Sequence, residues 1–253
     1  SIRYKMNVDD YDRTLTLPKT IKLIRSEDVF KRIKELLVKN SGNPYFERIV
    51  CYCSIDGQLN DSRIERLIIG DIMVLTDAIS QIGATDEAVV EKFDKAYTNF
   101  CKRNFGRTWA QRIGVTDLVT TCPYCNRSYI FTSNESGTRP QYDHYFPKSK
   151  YPYLALSMYN LIPCCSICNG LKHDEDTCQT PIVYPYKDSY GKQASFETVS
   201  KDSDDITAWV GAAEEYQIKI KYSDGIDPEL KCKIERAVNL FKLEDLYSKH
   251  SDY

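Results

Sequence analysis

Two Cys-x-x-Cys pairs, Cys122/Cys125 and Cys165/Cys168, bracket an Asp-His dipeptide, Asp143-His144, and the second pair runs directly into Asn169. Four soft thiolates arranged in two such pairs suit a closed, tetrahedral zinc site. A carboxylate, an imidazole and an amide oxygen suit a hard divalent cation with a general base beside it. One stretch of chain therefore combines a metal staple with a candidate reaction centre. Cys164 adjoins Cys165 and competes with it as a ligand; the two-residue spacing to Cys168 favours Cys165. Cys51, Cys53, Cys101, Cys178 and Cys232 read as buried or incidental, since free cysteine packs as a small hydrophobe. Lys172 and His173 follow Asn169 by three and four residues, so on a helix all three share a face and could meet one phosphodiester.

The elements that must position these residues divide the 253-residue chain into three expected regions: a mainly helical one over 1–112, a core over 113–180 and a mixed strand and helix region over 181–253. In the first, Ser26 caps a helix that runs to the Ser41-Gly42 stop, with Val29, Phe30, Ile33, Leu36 and Leu37 on its inner face. The segment Tyr45 to Ser54 fits helix or strand, and Asp61 to Ile82 is apolar nearly all round, which predicts one central buried helix. Thr85-Asp86-Glu87 caps a further helix through Phe105. In the core, Ser128–Thr132, a turn over Asn134–Thr138 and Pro140–His144 predict a hairpin, followed by a loop through Pro147 and Pro152 and a helix from near Asn169. Beyond it, Ser195–Val199 and Tyr216–Tyr222 alternate as strands, and Asp227-Pro228 opens a last helix.

Ten cysteines could form a disulfide framework, but the paired spacing and the chain length favour metal binding in a reducing compartment. The opening SIRYKMNVDD has no apolar core of a secretory signal, and no apolar run approaches the roughly 18 residues that cross a bilayer, so a cytoplasmic protein without a membrane partner is expected. The near-neutral total charge hides an uneven distribution. Residues 101–150 carry eight basic side chains against three acidic ones, whereas residues 201–253 carry eight against twelve. A basic belt around the motif suits a phosphate-facing groove.

The run Asp143-His144, Pro147, Asn160-Leu161, Cys165-x-x-Cys168-Asn169 and Lys172 resembles the HNH nuclease family, in the subgroup whose ββα-metal core is pinned by a four-cysteine zinc. The resemblance covers roughly residues 119–178 and implies an α+β fold. It implies His144 as the general base, available as neutral imidazole at its ordinary pKa near 6.5. It further implies Asp143 and Asn169 as ligands of one catalytic Mg²⁺ or Mn²⁺, and Asn160 as the side chain that ties down the loop after the base. One geometric demand follows, because neighbours on a regular strand point to opposite faces, so the strand must end or bulge at Asp143-His144. This chain has Asn169 at the last named position of the family, with His173 as an additional imidazole.

On that resemblance the expected function is metal-dependent hydrolysis of DNA, with RNA not excluded. The phrases QYDHYFPKSKYPY and NLIPCCSICNGLKHD also resemble the HNH components of bacterial anti-phage systems that pair a nuclease with an ATPase, such as Septu, which implies an ATPase partner. Two other functions compete. One is a zinc-knuckle binding module for nucleic acid or protein that has no turnover; the other is a thiol oxidoreductase built on the CPYC at 122–125, which the second knuckle argues against.

Overall fold

The computed structural model describes residues 29–102, 120–130, 140–191, 193–200 and 216–249. The expected start of the first helix at Ser26, the end of the third at Phe105 and the turn over Asn134–Thr138 lie outside them. The described residues up to Thr180 belong to one compact unit and those from Pro181 onward to a second.

In the first unit, α1 (Val29–Lys39) turns Val29, Ile33 and Leu37 inward at helical spacing. Asn43 caps a 3₁₀ turn at Pro44–Phe46 that leads into α2 (Glu47–Tyr52), so the ambiguous segment is helical. Asp56 and Gly57, both at positive φ, then turn β1 (Ser54–Ile55) back onto β2 (Gln58–Leu59). The long apolar stretch after it is two helices and not one. α3 (Asp61–Ile69) stops at Gly70, and the Asp71 carboxylate restarts the chain by accepting the backbone N–H groups of Met73 and Val74 at the head of α4 (Ile72–Ile82). A Cβ on Gly70 would lie 2.4 Å from the Arg66 carbonyl and 2.5 Å from Val74, so the break accepts glycine alone without rearrangement. α5 (Glu87–Lys102) completes the helical layer and stacks Phe93 on Phe46 at 6.0 Å.

The segment that follows packs into this layer. β3 (Gln141–His144) pairs antiparallel with β4 (Leu161–Cys164), in the register Asp143 to Ile162 and His144 to Leu161, and α6 (Ser166–Lys172) packs against β3. Of the expected hairpin between Ser128–Thr132 and Pro140–His144, residues 131–139 lie outside the described ones; among the described residues β3 pairs with β4. Tyr129 bridges Thr121, and the partner of β3 is a run that is buried from end to end and reads as core, with no alternation to mark it as a strand. Between β3 and β4 the loop is mostly buried and hangs from the helices. Ser157 Oγ donates to the Leu67 carbonyl at 2.6 Å, Tyr153 Oη to that of Gly83 at 3.0 Å, and the Thr85 N–H to that of Lys150 at 3.2 Å.

The second unit pairs β5 (Ala194–Ser200) with β6 (Tyr216–Tyr222), antiparallel, from Ala194 opposite Tyr222 to Ser200 opposite Tyr216. Asp227 caps α7 (Pro228–Leu240), whose Ile234, Ala237 and Val238 are buried. α8 (Leu243–Ser248) lies along β6, where Glu244 accepts the Ile220 N–H at 3.1 Å and Tyr247 stacks on Phe196 at 4.4 Å. Among the described residues no helix is long and apolar enough to cross a membrane.

Candidate metal and reaction site

The first knuckle is a turn built on backbone bonds, in which Asn126 N–H reaches the Cys122 carbonyl at 2.7 Å and Cys122 N–H the Ser128 carbonyl at 2.9 Å. Asn126 takes the left-handed conformation that this turn needs, which asparagine tolerates. The second knuckle is the head of α6, where Cys165 is the cap and its Sγ accepts the Cys168 N–H at 3.4 Å. The two meet with all four Sγ atoms of Cys122, Cys125, Cys165 and Cys168 within 4.8 Å of one another, and Cys125 and Cys165 at 4.0 Å. A tetrahedral zinc with Zn–S near 2.3 Å requires S···S of about 3.8 Å, so the cluster fits the ion. Hydrogen bonds from the other thiols, that of Cys122 foremost, hold Cys165 well below the usual thiol range, and the Cys122 thiol draws Cys125 down to about 6. Cys164 is buried outside the cluster, and burial pushes its thiol up. Cys165, not Cys164, is the fourth member.

Beside the cluster, Asp143 and His144 lie at the end of an unbroken strand and have different neighbours. Asp143 is buried; its Oδ2 accepts the Tyr124 hydroxyl at 2.7 Å, and its Oδ1 lies 3.5 Å from Lys172 Nζ. Burial pushes its carboxyl up, against the opposing effects of Lys172 and Tyr124. His144 is 8% exposed, places Nε2 3.0 Å from the Ala155 carbonyl, and meets the edge of Tyr97 on α5 with ring centroids 4.8 Å apart. A ring nitrogen facing a carbonyl must carry the hydrogen, so Nε2–H donates and Nδ1 keeps the lone pair. Burial pushes this imidazole down to about 4, so the ordinary pKa expected from sequence does not hold.

Asn160 is fully buried and serves the loop. Its Oδ1 accepts the Phe146 N–H at 2.7 Å, and its Nδ2 donates to the carbonyls of Phe146 and Leu154, each at 3.1 Å. Asn160→Ala leaves the Phe146 N–H and carbonyl without partners, while the Leu154 carbonyl keeps the Ser157 N–H at 3.1 Å. It is expected to destabilise the protein by about 2 kcal/mol or more, since each orphaned group costs roughly 1–3 kcal/mol. Urea unfolding measures this, and a loss below about 1 kcal/mol would show that the loop re-pairs without it.

Asn169 donates Nδ2 to Gln141 Oε1 at 2.8 Å. Lys172 and His173 do not share its surroundings. Lys172 is 1% exposed and donates to the His144 carbonyl at 2.7 Å, whereas His173 ends the helix at φ +44° with its side chain 80% exposed. The helix begins at Ser166, three residues before the expected start, and ends at Lys172. Its last turn sends Lys172 inward, and the left-handed turn at His173 breaks the face on which the three were expected to line up. A carboxylate and an amide oxygen are donor types that suit a hard cation, and an ion at Asp143 would share the carboxylate with Lys172. Sequence reasoning missed Tyr124, Tyr97 and the Ala155 carbonyl. Tyr124 lies inside the first knuckle and carries no mark of its contact with Asp143; the other two lie far from the motif in sequence or act through the backbone.

The described residues thus define an α+β protein organised around a buried four-cysteine cluster suited to zinc. Over 68 residues the chain is 34% identical to the Septu protein PtuB of Bacillus thuringiensis, a match that covers 27% of this chain and 25% of that protein. The chain thus spans about a quarter of the length of the curated relative it matches. No family model matches the chain, and no solved structure matches it.

Proposed function

We propose that the protein is an HNH-type, metal-dependent endonuclease that hydrolyses DNA phosphodiester bonds in a bacterial anti-phage system together with an ATPase partner. The observation that carries the chemistry is the 3.0 Å contact of His144 Nε2 with the Ala155 carbonyl, which calls for the hydrogen on Nε2 and leaves the Nδ1 lone pair to accept a proton. The strand, strand and helix order of β3, β4 and α6 beside the four cysteines supports the ββα-metal reading. Likeness to a Septu protein supports the defence setting and a partner within that system; that this partner is an ATPase rests on the sequence resemblance.

In this mechanism His144 Nδ1 takes a proton from the water that attacks phosphorus in line, and the 3′ oxygen leaves, giving 5′-phosphate and 3′-hydroxyl ends. Mg²⁺ or Mn²⁺, held by Asp143 and Asn169, would neutralise charge on the phosphate and the departing oxygen. Asn160 fixes the loop behind the base, and Lys172 ties α6 to β3 through the His144 carbonyl. The four cysteines would hold zinc with no open position, so that ion serves structure.

One observation favours a zinc-knuckle binding module without turnover as the second reading: both Asp143 oxygens already have partners, Tyr124 and Lys172. Supercoiled-plasmid cleavage by the zinc-loaded protein, alone and with its partner ATPase, in Mg²⁺, in Mn²⁺ and in EDTA, separates the two. Nicking or linearisation that needs the divalent ion is expected. A protein that binds DNA and cuts in none of these conditions would be the binding module.

A further inference from the structure

The loop after the candidate base carries a cation that α5 holds in place. Lys148 Nζ forms an ion pair with Asp94, with the two side chains 38% and 44% exposed. The same ammonium lies 5.4 Å from the centroid of Tyr97, a cation–π contact, and Tyr97 packs edge-to-face with the His144 ring at an interplanar angle of 68°. Asp94 and Tyr97 are three residues apart on α5 and so share one face. Lys148 and the base therefore both contact a single aromatic ring.

The neighbouring lysines are committed elsewhere. Lys172 is buried between Asp143 and the His144 carbonyl. Lys150 pairs with Asp176, which also accepts the Tyr151 hydroxyl and the Cys178 N–H. The Asp94–Lys148 pair is different, because it is open to water on both sides. Such a pair is worth little, so exchanging the carboxylate for another anion costs little.

We propose that Lys148 is a phosphate-binding residue for the nucleic-acid backbone and that Asp94 is its positioning residue, holding the ammonium beside His144 until a backbone phosphate replaces the carboxylate. The inference rests on the nucleic-acid reading above and adds to it a substrate contact from outside the Asp143, His144 and Asn169 set. It also gives α5 a part in positioning that contact.

Fluorescence anisotropy with a short end-labelled DNA duplex tests it, using the zinc-loaded full chain with Ca²⁺ in place of the activating ion, so that binding is read without turnover. Each phosphate contact adds about 0.9 to the slope of log affinity against log salt between roughly 50 and 200 mM. Lys148→Ala is expected to lower that slope by about 0.9, and Lys148→Arg to keep it. Asp94→Asn is expected to bind more tightly than wild type, most of all at low salt. That gain is expected to be lost in the Asp94→Asn, Lys148→Ala double variant, because a general loss of negative charge would act without Lys148. An unchanged slope in Lys148→Ala, or weaker binding by Asp94→Asn, overturns this inference while leaving duplex binding by the wild type intact. No duplex binding by the wild type at any salt overturns the nucleic-acid reading and this inference with it.

Discussion

His144→Ala is expected to lower plasmid cleavage by about 10²–10⁴-fold, the usual contribution of a positioned general base, while zinc content stays at one ion per chain. The imidazole lies outside the four-cysteine cluster, so losing it removes the proton acceptor and leaves the metal staple. The wild-type pH profile carries a second signature. Burial draws the His144 pKa down to about 4, so Nδ1 stays unprotonated as pH falls well below 6.5 and the acid limb of cleavage is expected near that lower value. An acid limb centred at the ordinary imidazole pKa near 6.5 would mean that the ring is solvated when it works. Cutting by His144→Ala at the wild-type rate would remove His144 from the chemistry altogether. The same shift acts on stability. Between the unfolded value near 6.5 and the folded value of about 4 the unfolded chain binds a proton that the native ring does not, so this residue's contribution falls as pH falls through that window.

The second large effect is expected at the cysteines. Cys165→Ala should abolish stoichiometric zinc and lower the melting temperature by about 10–20 °C, taking a loss of roughly 5 kcal/mol and about 2–4 °C per kcal/mol for a chain of this size. The neighbouring Cys164→Ala is the control. It removes a buried sulfur outside the cluster, so it should retain zinc and cost only about 1 kcal/mol. Zinc analysis and thermal melts of the two variants check this directly. If Cys164→Ala loses the ion and Cys165→Ala keeps it, the ligand assignment is reversed. Acidification is expected to release the metal from the wild type, because protons compete with zinc for the thiolates.

The parts of the site carried by local spacing were legible in sequence. Two Cys-x-x-Cys pairs specify two knuckles, and one cluster with the fitting separations joins them. Helical periodicity located α1, α5 and α7 for the same reason, since each buries one stripe. What escaped is whatever depends on tertiary choice. Gly70-Asp71 breaks an apolar run that periodicity reads as continuous, because a cap at Asp71 is worth more than one further turn of helix across a glycine. Leu161–Cys164 pairs with β3 although its composition is that of core, and nothing in the order of residues says which of two candidate partners β3 takes. The inward turn of Lys172 is likewise a matter of packing, as spacing from Asn169 alone places it on the outside.

The Ala155 carbonyl that decides which nitrogen of His144 holds the hydrogen belongs to a loop suspended from the backbone of α3 and of the α4–α5 connection, through Ser157 and Tyr153. Proton placement in the imidazole and the integrity of the helical layer are therefore thermodynamically linked. A ligand that shifts those helices changes the free energy of the reactive tautomer, and by reciprocity a group that engages Nδ1 changes that ligand's affinity by the same factor.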